Sequence, residues 1–517
     1  VSTFSPYEAY IRLAELKATW PGPDWPEQTP LTCGLQALEL LGALCGEVLA
    51  DSRHDVAHKR AARLADVVCQ GLSVLGQALS SAAAPDWALT TGPPVRSAGL
   101  AALRHLPQPE RQRVDTAWHH AFAHLKFDLG VDGRGHSGLP VLDYRAVVTP
   151  PGFTAVQEGA RSGPEDFLFR TVHQVTECWV HAAHWFLARA TRDVQGDDLA
   201  RAGRALHHAA RLVELASRTT RLLDLMVAAD YHPLRVRLRD GSGAQSAATH
   251  ALVPAAREAF THFQSRLREQ GLGILAVLHD PEHHRAAYAC QAGFQELGRR
   301  FQGFLFEHYL LALSMLGSNN LGSLGFPVHA LAQRAAVPLF PELDQAKHDF
   351  VVITNLAHNE FSGAIILGHE LDRHPGAYPH PVPGDCPPEL ARERVAEYFA
   401  CLERGDRDGW VALFTPEAWF LDAARARPFL GHTRLRVFVD TMLTTFSGIR
   451  VELGESTGEA GRYRVAWSIR ATALGEPVRF GGTEEFVFTD DGRILAAQAD
   501  WDATPLAEHL LRARRAA

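Results

Sequence analysis

Two histidines stand inside runs that otherwise read as buried helix: His173 in FLFRTVHQVTECW and His308 in EHYLLALSMLG. A helical period places Phe304, Leu305, Leu311, Ala312 and Met315 around His308, an apolar setting in which a neutral imidazole can serve as a metal ligand. Both residues read equally as core histidines satisfied by a neighbour, the commoner fate, and 27 histidines in the chain make a lone one weak evidence. Tyr231 and Arg235 are four residues apart and share a face if that stretch is helical; the planar guanidinium there would grip a carboxylate through two parallel bonds. Arg237 and Arg239 follow at period two, which is also how a solvated basic stripe looks. Farther on, Glu484 alternates with Phe486 and Phe488. Its carboxyl should therefore point into an apolar interior, where burial raises its pKa and lets it donate a hydrogen bond at neutral pH.

The elements that must position these groups are of two kinds. Up to about residue 350 the periodicity is helical, with strong blocks at about 165–190, 197–229, 252–271 and 287–317. A proline-rich stretch at 374–388, HPGAYPHPVPGDCPP, marks a linker. Beyond it, short helices precede segments of period two, such as YRVAWSIRATAL and PVRFGGTEEFVFTDDGR, which predicts an α+β domain.

The chain has 517 residues, 46% hydrophobic and 21% charged, with a net charge of −8. The length suggests two to four domains, and the interspersed charges argue against nucleic-acid or membrane-surface partners. No unbroken apolar run reaches the roughly 18 to 20 residues that span a bilayer, and no secretory signal is evident. The seven cysteines are odd in number, scattered and never CxxC, so they read as reduced thiols of a cytoplasmic protein.

Three separated segments, covering about residues 140–350, resemble the tryptophan 2,3-dioxygenase superfamily of all-helical haem enzymes. FLFRTVHQVTECWVHAAHW is similar to that family's F-x-x-x-H-Q-x-x-E-x-W helix. YHPLRVRLRDGSGAQS (231–246) is similar to its Y-x-x-F-R-x-x-L-x-x-x-S-G-x-Q-S. EHYLLALSMLG (307–317), followed by PLFPEL, is similar to its R-H-x-x-x-V-x-R-x-I-G helix and F-F-P-E-L. The resemblance implies a b-type haem with His308 as proximal iron ligand and His173 as the distal residue that meets an indole N–H. It also implies Phe169 as a wall of the aromatic pocket, and Arg235 with Tyr231 on the substrate carboxylate. Gly243, Gln245 and Ser246 would shape the turn.

The chain departs from that pattern in a loop, at one aromatic position, and in a shortened segment between the second and third motifs. The family's Gly-Thr-rich loop over the amino acid is here GSNNLGSLG (317–325), where Asn319, Asn320 or Ser323 would replace the lost hydroxyl. Ala244 stands where the family has an aromatic residue. These changes fit a modified tryptophan or related indole, as in relatives of natural-product pathways. The resemblance implies dioxygen attack at the indole C2–C3 bond, cleaving the ring with two oxygen atoms or stopping at an oxindole-type product with one. The implied partners are a small-molecule indole and dioxygen, in a homo-oligomer (dimer or tetramer). A haem-binding protein without turnover is the reading from another class.

From about Glu389 the chain resembles the nuclear-transport-factor-2-like superfamily, the cone-shaped fold of ketosteroid isomerase and SnoaL-like polyketide cyclases. AEYFACLERGDRDGWVALFTPEAWFLD (396–422) and EEFVFTDDGRI (484–494) carry it. It implies Tyr398 as an oxyanion donor, Asp422 as general base and Glu484 as a neutral carboxylic acid; a dimerisation module or lid is the alternative. The expected fold is thus mostly α. Residues 1–135 form an amino-terminal helical extension, 136–373 a haem domain, 374–388 the linker and 389–517 an NTF2-like α+β cone. GHELDRH (368–374) tempts a zinc-protease reading, but its histidines are five apart instead of four, so it is set aside.

Overall fold

The apolar residues of the first motif all fall within one 32-residue helix, Pro164–Gln195. Phe167, Val172, Val175 and Trp179 are buried along it, as their spacing of three and four requires. The computed structural model describes residues 5–20, 28–51, 54–79, 83–131, 138–149, 156, 164–238, 241–318, 320–322, 327–357, 381–422 and 428–516. The chain divides into two units: Val1–Arg266 with His284–Pro341, and Leu267–His283 with Glu342–Ala517.

The first unit is helical. Its long members are α1 (Gln28–Leu49), α2 (His54–Ala78), α3 (Pro164–Gln195), α4 (Leu199–Thr220), α5 (Ala228–Leu238), α6 (Ala247–Glu269) and α7 (Arg285–Leu316), followed by the short α8 (Ala330–Ala335). Helix α4 packs against both α3 and α7. Small residues let it approach closely: a Cβ on Gly203 would meet the Ala289 backbone at 2.8 Å, and one on Gly293 would meet Leu206 at 2.8 Å. Asp198 caps α4 by accepting from the Arg201 N–H, a contact worth about 1 kcal/mol. Phe340, from the PLFPEL segment, closes the far side on Phe260 and Phe294, with ring centroids 4.9 and 5.3 Å apart.

The amino-terminal region belongs to this unit. Tyr7 Oη donates to Glu177 Oε1 at 3.1 Å, and Arg60 Nη2 donates to both oxygens of Glu165 at 2.7 and 2.8 Å, all buried. Periodicity could not foresee this, because the partners lie more than a hundred residues apart in sequence. Helix α1 also corrects the hydropathy reading. It is long and apolar enough to cross a membrane by length and composition, yet 83% of its most apolar window is buried. Its polar residues have specific partners: Gln36 Nε2 donates to Thr19 O at 3.2 Å, and Glu39 accepts from Tyr144 Oη at 2.6 Å. That is core-helix behaviour.

The second unit is built on a six-stranded sheet. Its strands are β1 (Phe414–Asp422), β2 (Phe429–Leu430), β3 (Phe446–Glu459), β4 (Arg462–Ala473), β5 (Glu476–Phe488) and β6 (Ile494–Asp500), in the spatial order β2-β1-β6-β5-β4-β3. Only the β1–β6 pair is parallel. On β4 the inward residues Tyr463, Val465, Trp467 and Ile469 alternate with outward Arg462 and Arg464, the period-two signature of a sheet with one covered face. Helices α9 (Pro388–Arg404), α10 (Arg407–Ala412) and α11 (Gly431–Thr445) supply Tyr398, Phe399, Trp410 and Phe438 to the same core as Phe420 and Phe486. The α+β reading of this region holds, with one parallel pair, β1–β6, in an otherwise antiparallel sheet.

Candidate functional sites

In the helical unit, Phe169, His173, Tyr231 and His308 line one cavity, about 810 Å³ of free space counted with its mouth. Leu223, Met226, Leu311, Ala312, Met315 and Leu316 make most of the remaining wall apolar. Residues from α3, α5 and α7 therefore converge, although nothing local in the sequence joins them.

Burial is the main reason that both imidazoles are neutral. His173 is buried and its pKa is pushed down to about 4, chiefly by desolvation, against the opposing bond to Phe169. Its Nδ1 lies 2.7 Å from the Phe169 carbonyl oxygen, so Nδ1 carries the hydrogen and Nε2 keeps a lone pair. Phe169 tilts against the ring at 4.2 Å, and Tyr7 meets it edge-on at 5.4 Å. His308 is held below the ordinary imidazole range by burial and then by the nearby Arg334 charge. Its ring makes no hydrogen bond among the described residues. Most metal-bound imidazoles do have a partner on the second nitrogen, so this is a departure from the usual pattern.

Gly243 sits between the two rings: a Cβ there would lie 2.9 Å from His173 Nε2 and 3.9 Å from His308 Cε1. The turn that carries it is fixed by Ser242 and Gln245, which cap each other's backbone, while Gln245 also accepts from Tyr7 N at 3.3 Å. Ser246 Oγ accepts from Thr249 N at 3.1 Å and so starts α6. The structural roles expected of Gly243, Gln245 and Ser246 are thus the ones observed.

A second space, about 560 Å³ with its mouth, adjoins the first and shares His308, Gly243, Ala244 and Leu331 with it. The residues fit a haem. A neutral imidazole, His308, lines both spaces among mostly apolar residues and could ligate a haem iron. Among the described residues no group of three or more His, Cys, Asp and Glu side chains could hold a bare metal ion. The GHELDRH segment lies outside the described residues.

Two expected substrate contacts are placed elsewhere. Arg235 does not line the cavity; its Nη2 donates to Leu321 O at 2.8 Å, beside the lining residue Gly322. Asn320 Nδ2 donates to Leu316 O at 2.6 Å and its backbone carbonyl accepts from Val328 N at 3.3 Å, so it links Leu316 to Val328. Both satisfy backbone carbonyls that the end of α7 and the following loop would otherwise leave open. Ser323 lies outside the described residues, as does Asn319.

In the second unit Tyr398, Asp422 and Glu484 line a space of about 400 Å³, counted with its mouth, together with Phe399, Phe420, Phe438, Trp467, Phe480 and Trp501. Tyr398 Oη donates to Glu484 Oε1 at 2.8 Å. Burial raises Glu484 to about 8, the Tyr398 bond opposing and the Asp422 charge adding. Burial likewise raises Asp422 to about 7, partly offset by Trp501 Nε1, which donates to Oδ1 at 2.7 Å. Asp422 Oδ2 finds no partner. Tyr398 is pushed well above the ordinary phenol range by burial and by Glu484. The site therefore holds a carboxylic acid, a neutral phenol and a carboxyl that ionises near neutrality.

Residues 395–497 match the family model of the SnoaL-like domain. The carboxy-terminal domain is SnoaL-like. Two solved structures overlap it: an epoxide hydrolase/cyclase-like enzyme of pyran ring formation in the polyether salinomycin, and an NTF2-like protein of unknown function from Burkholderia pseudomallei. The first is 24% identical over 22% of this chain and 91% of its own, with a TM-score of 0.21; the second is 18% identical over 23% and 95%, with a TM-score of 0.22. Two Arabidopsis thaliana proteins are also similar. Nematode resistance protein-like HSPRO2 is 24% identical over 66% of this chain and 86% of its own length, and HSPRO1 is 23% identical over 46% and 58%. The HSPRO2 share exceeds what the SnoaL-like domain alone supplies, so the likeness reaches into the helical unit.

Sequence reasoning missed Tyr7, Trp467 and Trp501. Trp501 closes the SnoaL-like cavity against Phe480 and Trp467, with centroids 5.1 and 6.3 Å away. Its place in the alternating ILAAQADWD segment was visible, but its bond to Asp422 was not. Tyr7 stands in a short amino-terminal helix with no motif around it.

Proposed function

We propose that the chain is a haem-dependent oxygenase of tryptophan or a tryptophan-derived indole, whose SnoaL-like domain carries out proton transfer on the oxygenated product. The observation that supports the first part is the convergence of Phe169, His173, Tyr231 and His308, drawn from three separate segments, on one largely apolar cavity. Bound against His308, haem would supply the activation of dioxygen. His173 offers the Nε2 lone pair to the indole N–H, and its Nδ1 bond to Phe169 O keeps that tautomer. Phe169 and the aliphatic wall align the ring and exclude water.

In the SnoaL-like domain, Asp422 Oδ2 accepts a proton from a carbon or nitrogen next to a carbonyl. Tyr398 and protonated Glu484 hydrogen-bond the oxygen where negative charge gathers. The resistance named for the relatives is not a reaction and adds no chemistry to this reading.

The test is a hemin titration of the full chain, read at the Soret band. Wild type should take up one equivalent and His308→Ala should not. An equal band in both would remove the assignment of His308. Loaded protein is then reduced and given tryptophan and its indole derivatives with dioxygen, and mass spectrometry separates gain of one oxygen atom from gain of two.

A second reading, a haem-binding protein without turnover, is favoured by the engagement of Arg235 on Leu321 O, away from the cavity. Absence of any indole product from fully loaded protein would select it.

A further inference from the structure

The second space beside His308 is built unlike the first. Its floor is apolar, from Phe301, Phe304, Leu305 and Val253, while its rim carries Thr249, His250 and Arg334 and no carboxylate. His250 Nε2 donates to Ala244 O at 2.7 Å, which leaves Nδ1 as an acceptor, and Arg334 Nη2 lies 3.3 Å from that nitrogen. The imidazole thus holds one edge of the guanidinium without neutralising it, and Arg334 has no acidic partner among the described residues. A guanidinium oriented by a neutral base over an apolar floor is arranged to receive a planar anion through its remaining donors.

We propose that Arg334, oriented by His250, is the anion-reading end of this space, and that its ligand is a flat hydrophobic body bearing a carboxylate. The inference rests on the haem reading of the adjoining site. It assigns a residue that none of the motifs contains. The carboxylate has two sources: a propionate of the haem itself, or the acid group of an indole substrate.

The experiment uses the full chain as wild type, Arg334→Leu and Arg334→Lys. Each is titrated with hemin and with hemin dimethyl ester, read at the Soret band, and the loaded protein is then titrated with indole-3-acetate and indole-3-acetamide. If the propionate is the source, wild type prefers hemin over its diester by about tenfold. Arg334→Leu should abolish that preference without losing the diester, and Arg334→Lys should keep a smaller preference of the same sign. If the substrate is the source, the two porphyrins bind alike, and the preference for acid over amide is the one that Arg334→Leu removes. Should neither preference appear in wild type while both porphyrins bind, the proposal fails and the haem reading stands. Should neither porphyrin bind, both fall.

Discussion

Gly243 stands so close to His173 that a methyl group built on it would lie 2.9 Å from Nε2, the nitrogen left with a lone pair by the Nδ1 contact to Phe169 O. The His173 ring cannot simply swing aside, because that contact and the Phe169 and Tyr7 rings hold it. Gly243→Ala should therefore narrow the space between the imidazoles and weaken hemin uptake by about tenfold or more, a loss of roughly 1.4 kcal/mol. Circular dichroism should show the helix content unchanged. Unaltered uptake would mean that ligands do not enter between the two rings.

On the proposed reading His173 acts on substrate and does not hold the cofactor. His173→Ala should leave the Soret band of loaded protein in place while lowering turnover of an accepted indole by about 10²–10⁴-fold. Equal turnover in the two proteins would reduce His173 to a wall residue.

Arg60 joins the amino-terminal region to α3 through Glu165 and also donates to Leu225 O at 2.8 Å, on the segment that carries the cavity residues Leu223 and Met226. Arg60→Ala removes the guanidinium that meets both oxygens of the buried Glu165 carboxylate. It should cost about 3–5 kcal/mol, read as a lower midpoint in chemical denaturation. A change under about 1 kcal/mol would show that Glu165 finds water or another donor.

Asp422 and Glu484 are carboxyls whose folded pKa values, about 7 and about 8, lie above their ordinary values of 3.8 and 4.5. The folded state therefore binds protons that the unfolded state has released. Their contribution to stability is complete below about pH 4 and is lost as pH rises through about 7 to 8. Asp422→Asn removes its own share of that slope and should stabilise the SnoaL-like domain at pH 8 by on the order of 2–4 kcal/mol, with no gain at pH 4. Calorimetry at the two pH values checks this; a gain of equal size at both would contradict the buried, neutral carboxyl. The same values predict that proton transfer by this domain peaks between about pH 7 and 8, with Asp422 ionised and Glu484 still protonated.

The sequence by itself determined what depends on local period and residue type. The helix around His173, the helix around His308, and the inward alternation that buries Glu484 with Phe486 all follow from spacing of apolar residues, and the motifs singled out Phe169, Tyr231, Tyr398 and Asp422 before any coordinates. Tertiary structure alone decided which of these meet and what else reaches them. Arg235 sits one turn after Tyr231 yet turns to Leu321 O, because an open loop carbonyl lies within its reach. Tyr7 reaches Glu177, Arg60 reaches Glu165 and Trp501 reaches Asp422 across 170, 105 and 79 residues of chain. Periodicity records which face of an element is buried, but not its partner. That partner is set by how whole helices and strands pack, a cooperative outcome of many small contacts that no single segment encodes.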